Sequence, residues 1–198
     1  MKRHVEGILV TALVLLSGCA GLETAPGQGS MPERVELVTP SLDEADRERL
    51  EQARDALANG KPEAAAQRLA TVETEHRFHP DVLMVRSRVA RHQERPRRAI
   101  RALEALLQRP PENAAAANDL ALLYRQQGRI EAAAGLLRQA LDANPGEARL
   151  HYNLAVLSEL YLLDLEQALQ HYRRYQSLRD DTDKEVAMWI QDLERRVQ

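Results

Sequence analysis

The chain is predicted to be all-α, a solenoid of repeated helix pairs closed by one final helix. Three observations carry this. Alanine, leucine, glutamate, arginine and glutamine dominate, and aromatic residues make up only 4%, which favours helix over strand along nearly the whole length. Superposing the chain on itself at a spacing of 34 residues aligns Gly60, Glu94 and Gly128, then Ala65, Ala99 and Ala133, then Leu69, Leu103 and Leu137. The same shift aligns Val72, Leu106 and Ala140, and Pro111 and Pro145 stand the same interval apart, each just after an apolar helical run. A recurrence of that length is a helix-turn-helix unit that buries its apolar face only by stacking on its neighbours.

From the start of the chain, Met1-Lys2-Arg3 supplies positive charge, Gly7 to Leu16 is nearly all apolar, and Leu16-Ser17-Gly18-Cys19 ends the stretch on small residues. That is the order of an export signal over residues 1–18. About ten apolar residues are too few for a hydrocarbon core roughly 30 Å thick, which takes about 20 as a helix. Leu16-Ser17-Gly18-Cys19 resembles the lipobox of bacterial lipoproteins. The resemblance implies cleavage before Cys19 and lipidation of it; the competing reading is an ordinary secretory signal cut near Ala20. Each buried acyl methylene contributes about 0.8 kcal/mol, so several chains on one cysteine hold a protein firmly on a bilayer. In that family an aspartate directly after the cysteine commonly retains the protein in the inner membrane. Ala20-Gly21 stands here instead, which implies an outer-membrane anchor facing the periplasm of a Gram-negative bacterium.

Cys19 is the single cysteine, so no intramolecular disulfide, cysteine metal cage or redox pair is available. Residues 20–40 contain Gly21, Pro26, Gly27, Gly29, Pro32 and Pro40 with few large apolar side chains, so residues 19–40 are read as a tether. A flexible segment of that length spans roughly 25 Å in the root mean square.

The repeats are expected over 41–180, in copies near 46–79, 80–113, 114–147 and 148–181. Punctuation agrees with helices. Ser41 with Glu44 forms a capping box, Asn59-Gly60 stops a helix, Pro62 and Pro96 suit first turns, and Asn144-Pro145-Gly146 breaks another. The fourth copy carries one extra residue near Leu163-Asp164, after which Ala168, Tyr172 and Tyr175 take the places of Ala133, Leu137 and Ala140. Over 181–198, Thr182 with Glu185 reads as another capping box. Val186, Trp189, Ile190, Leu193 and Val197 then make a 3, 4, 3, 4 apolar stripe, a helix that covers the open end of the stack.

The copy from Ala114 to Glu147 resembles the tetratricopeptide repeat (TPR), with Leu120, Ala121, Tyr124, Gly128, Ala133, Leu137, Ala140 and Pro145 at its signature positions. The copy at 80–113 departs by having Arg86 and Ser87 in place of a leucine and a small apolar residue, and that at 46–79 lacks the closing proline. The resemblance implies a right-handed superhelical solenoid of about four helix pairs plus a capping helix. It also implies a concave groove lined by the first helix of each pair. Carrying the groove positions over selects Arg54 in the first copy and Met84, Arg88, Arg91 and His92 in the second. In the third it selects Asn118, Leu122, Arg125 and Gln126, and in the fourth Tyr152 and Val156. Such a groove is locally basic and suits an acidic peptide segment, arginine forks taking carboxylates; the competing reading is a solvated helix face. The tyrosines of the last copy, Tyr152, Tyr161, Tyr172 and Tyr175, are either a recognition end or packing beneath the cap.

Chemistry finds few parts. His76 and His79 lie three apart like a metal pair but flank a predicted turn with no convincing carboxylate set, and no glycine-rich phosphate loop or nucleophile elbow is present. A net charge of -3, or -4 once Lys2, Arg3 and Glu6 leave with the signal, gives no nucleic-acid signature. No cofactor or metal and no catalysis are expected. The expected function is a membrane-anchored scaffold for protein partners of an envelope complex such as a pilus, secretion, energy-transduction or cell-wall machine. The likeness in type is to pilus-assembly pilotins and peptidoglycan-enzyme adaptor lipoproteins. A self-associating structural lipoprotein and a peptidoglycan-active enzyme are the alternatives.

Overall fold

The architecture follows the 34-residue recurrence. In the computed structural model the described residues are 41–108 and 113–198; the export segment, Cys19, the tether up to Pro40 and Pro111 lie outside them. Four helix pairs succeed one another: α1 (Glu44–Ala58) with α2 (Pro62–His76), α3 (Pro80–His92) with α4 (Pro96–Leu107), α5 (Ala114–Gln126) with α6 (Ile130–Ala143), and α7 (Ala148–Leu157) with α8 (Leu165–Ser177). A ninth helix, α9 (Lys184–Arg196), follows. Among the described residues there is no strand, and no helix is long and apolar enough to cross a membrane. Each helix packs on its successor, and first helices of neighbouring pairs also touch, α1 with α3 and α5 with α7. Contact only between neighbours is what makes a solenoid quasi-one-dimensional.

The recurring small and large positions are where the pairs close. Ala65, Ala99, Ala133 and Ala168 are all fully buried, and Leu69, Leu103, Leu137 and Tyr172, then Val72, Leu106, Ala140 and Tyr175, are buried four and seven residues on. Alanine lets two antiparallel helices approach closely and the larger side chain fills the space beside it. Burying each such leucine contributes roughly 1.5–3 kcal/mol.

The turns within pairs repeat as well. Gly60, Glu94, Gly128 and Leu163 all have left-handed backbone, with φ of 66°, 55°, 71° and 56°. In the first three turns the next residue returns a bond to a carbonyl five residues back: Lys61 N–H to Ala56, Arg95 N–H to Ala90 and Arg129 N–H to Tyr124, the Schellman closure of a helix. The fourth turn departs. Its extra residue sits not at Leu163-Asp164 but in a π-helical turn, Ser158–Leu162, that ends α7. Leu163 N–H donates to the Ser158 carbonyl, and Asp164 N–H reaches the same oxygen at 2.9 Å. The π turn absorbs the insertion inside the helix, so the turn itself keeps its left-handed residue.

Two helix starts also differ from expectation. Asp43, not Ser41, caps α1 by accepting from Asp46 N–H at 2.7 Å, and Asp183, not Thr182, caps α9 through Val186 N–H at 3.2 Å. In both places an aspartate lies nearer the first turn, and its charged oxygen is the better acceptor beside the positive helix end. Asn113 and Asp164 cap α5 and α8 in the same way.

Candidate functional site

The first helices of successive pairs enclose an open groove of about 980 Å³. Arg54, Leu57 and Ala58 of α1, Arg88, Arg91 and His92 of α3, and Asp119, Leu123 and Gln126 of α5 line it, with Glu94 and Pro96 at the turn edge. Because α1 and α3 touch directly and the repeat is 34 residues long, Arg54 and Arg88 occupy equivalent places on adjacent helices, as do Ala58, His92 and Gln126.

Five of the sequence-selected residues therefore meet: Arg54, Arg88, Arg91, His92 and Gln126. Others do not face the groove. Met84 is buried in the core between the second and third pairs. Asn118 is buried and accepts a hydrogen bond from Asn153 Nδ2 at 2.5 Å, joining α5 to α7. Tyr152 and Val156 pack into the last core cluster beneath α9. Met84, Asn118 and Tyr152 share one repeat position, and the tight stacking of first helices turns that position inward. Leu122 and Arg125 are half-buried and lie outside the groove lining. The sequence reading missed Leu57, Leu123 and Asp119. Asp119 was invisible because its role comes from the next pair's helix swinging alongside α3.

The electrostatics are mixed rather than uniformly basic. Arg91 faces the Asp119 carboxylate at 3.7 Å, and Arg54 is held by Asp81 at 3.2 Å and by Glu51. Arg88 is exposed and has no carboxylate partner among the described residues. Thus one guanidinium is free, and two are held by carboxylates that an incoming acidic group would have to displace.

The last pair is built for packing. Tyr152 meets Tyr175 at 5.2 Å, Tyr172 at 6.2 Å and Trp189 at 6.3 Å between ring centroids, geometries that suit aromatic pairs. Burial and the neighbouring Glu159, which accepts from the Tyr172 hydroxyl at 3.1 Å, push the ionisation of Tyr172 far upward. Tyr161 alone of the four is exposed, at 49%. Behind α7, His151 Nε2 donates to the Pro145 carbonyl at 3.2 Å, leaving its Nδ1 to accept from His171 Nδ1 at 2.9 Å. Burial, followed by His151 and Arg138, pushes His171 down to about 4, and burial lowers His151 as well. His76 and His79 are separately engaged: His76 Nε2 faces Asp46 at 3.3 Å, and His79 Nδ1 accepts from Asp81 N–H at 3.2 Å. Among the described residues no three His, Cys, Asp or Glu side chains converge as a metal would require.

The tetratricopeptide repeat model matches residues 50–96, 86–148 and 118–183. An uncharacterized protein of Sinorhizobium fredii, y4yS, is 42% identical over 62 residues, 31% of this chain and 34% of that protein, so the chain matches about a third of that relative's length. Among solved structures, PilF of Pseudomonas aeruginosa superposes with a TM-score of 0.69 at 22% identity, over 78% of this chain and 69% of its own. MamA of Desulfovibrio magneticus RS-1 does so with 0.65 at 17% identity, over 79% and 87%. A thermophilic TPR protein of Thermus thermophilus, TTC0263, gives 0.61 at 21%, over 77% and 83%. At these identities the likeness is one of fold.

Proposed function

This chain belongs to the tetratricopeptide repeat family, and on that premise we propose that it is a non-catalytic scaffold binding protein partners through the groove of α1, α3 and α5. The observation that carries the reading is the groove itself: about 980 Å³, open, with apolar Leu57 and Leu123 beside Arg88, Arg91 and Arg54. An extended or helical acidic segment fits, its apolar side chains on the leucines and its carboxylates on the arginine forks. The finer proposal is that Cys19 is lipidated and anchors the scaffold to the outer membrane, facing the periplasm, where it assists an envelope assembly. Its support is the lipobox-like Leu16-Ser17-Gly18-Cys19 after an apolar run, followed by Ala20-Gly21.

The test is crosslinking in membranes followed by identification of captured proteins, with wild type, Cys19→Ser and Arg54→Glu/Arg88→Glu/Arg91→Glu compared. Envelope proteins captured by wild type and lost in the arginine variant, with helicity unchanged, are expected. Equal capture by that variant refutes the groove, and equal recovery of Cys19→Ser and wild type from a soluble fraction refutes the anchor. Self-association has one observation in its favour, the exposure of Leu160, Tyr161 and Leu163 (63%, 49% and 76%) at the π turn. Light scattering of the purified chain, monomeric or not, decides it.

A further inference from the structure

Helix α4 sorts its side chains sharply. Ala99, Ile100, Ala102, Leu103 and Leu106 are buried, while Arg95 at its cap and Arg97, Arg98 and Arg101 along its first turns are exposed. None of these four arginines is paired with a carboxylate among the described residues. The nearest acids in sequence do not neutralise them. Glu94 belongs to the left-handed turn, and Glu104 accepts from the Tyr124 hydroxyl at 2.9 Å. Elsewhere the chain handles surface arginine differently: Arg47, Arg49, Arg86 and Arg173 each sit in an ion pair. In a chain whose net charge is -3, four unpaired guanidinium groups on one helix are a local concentration that needs an external anion.

We propose that the exposed arginine face of α4 docks on the phosphates of an anionic phospholipid surface. Guanidinium forks match phosphate oxygens in pairs. A protein partner is expected to be gripped by apolar or aromatic anchors. The exposed large apolar side chains among the described residues are Phe78, Leu160, Tyr161, Leu163 and Met188, and none lies on α4. A sheet of headgroups asks for charge alone. The choice of a membrane over another polyanion rests on the anchoring part of the proposed function, since a tether of roughly 25 Å brings the folded part within reach of the bilayer. The consequence is an orientation. The buried face of α4 packs on α3, and the exposed face of α3 lines the groove. With α4 on the headgroups the groove therefore faces away from the lipid, toward a partner.

The experiment is vesicle flotation of the full chain in four forms: wild type, Arg97→Gln/Arg98→Gln/Arg101→Gln, Cys19→Ser, and the two combined. Each is mixed with phosphatidylcholine vesicles and with vesicles also containing phosphatidylglycerol. A basic residue near an anionic surface strengthens binding by roughly fivefold, so Cys19→Ser should gain on adding phosphatidylglycerol. Three glutamines should remove roughly a hundredfold of that gain, and high salt should remove it too, because exposed charges are screened. Circular dichroism confirms that the glutamine variants are folded. No gain with phosphatidylglycerol, or a gain that survives the glutamines, overturns the proposal. Retention of poly-glutamate or duplex DNA in preference to the anionic vesicles at equal salt also overturns it. Failure of wild type to bind neutral vesicles better than Cys19→Ser refutes the anchor instead, and leaves the phosphatidylglycerol comparison readable by itself.

Discussion

Replacing Leu163 by glycine should stabilise this protein, although it deletes an entire apolar side chain. Leu163 has φ of 56° and is 76% exposed, so its side chain contributes little burial while its Cβ crowds the following carbonyl. Left-handed backbone costs an L-residue roughly 1–2 kcal/mol. Glycine removes that strain but loses more chain entropy on folding, roughly 0.5–1 kcal/mol. The net expectation is about 0.5–1 kcal/mol of added stability, or about 2–4 °C per kcal/mol in melting temperature for a domain of this size. The reverse change at the equivalent position supplies the control. A Cβ added at Gly128, φ 71°, meets nothing within 4 Å, so Gly128→Ala should lose stability of similar size purely through backbone strain. The assay is urea denaturation followed by circular dichroism and by the fluorescence of Trp189, the single tryptophan. Trp189 lies in the core cluster joining the fourth pair to α9, so it should report Leu163→Gly more strongly than Gly60→Ala at the far end. If Leu163→Gly is neutral or destabilising while Gly128→Ala behaves as stated, the left-handed geometry at Leu163 is not what closes the fourth turn, and the argument from the π turn fails.

Acidification should loosen the last pair. His171 falls to about 4 and His151 also lies below its ordinary 6.5, so the unfolded chain takes up protons first. Stability is therefore full above about 6.5 and declines toward 4. At roughly 1.4 kcal/mol per unit, reduced for a half-buried site, His171 accounts for about 2 kcal/mol of that decline, and an unchanged slope between pH 6.5 and 5 in His171→Gln would assign it elsewhere. Leu137→Ala empties a fully buried position between the third pair and its neighbours and should cost 2–5 kcal/mol, roughly, measured as the shift in urea midpoint; a loss under about 1 kcal/mol would mean that the interior collapses around the gap. Trp189→Ala should free α9 and bare Tyr152, seen as faster proteolysis after α8 with α1 to α6 still protected, and uniform digestion would show that the cap and the body unfold as one.

The helix pairs were legible because their signal is periodic. A small residue at Ala65, Ala99, Ala133 and Ala168 followed by a large one at Leu69, Leu103, Leu137 and Tyr172 is demanded by close helix approach, which any alignment of the chain on itself exposes. The same recurrence placed three of the four left-handed turn residues, including Glu94, which carries no glycine to announce it. Tertiary structure alone decided the rest. The extra residue of the fourth copy could sit in a turn or in a helix, and only the packing of α7 on α8, with Ser158 Oγ bonded to Gln167 at 2.8 Å, placed it in the π turn. Groove membership could not be read from repeat position, because the position shared by Met84, Asn118 and Tyr152 lies on the flank where one first helix stacks on the next. Nor could pairing: in the sequence Arg88 and Arg91 look alike, yet Asp119, 28 residues beyond Arg91, faces one and leaves the other free. Periodicity determines which residues turn inward, since that depends on the chain's own helical pitch. Which outward residues meet one another depends on how neighbouring pairs are laid side by side, and that is settled only when the pairs stack.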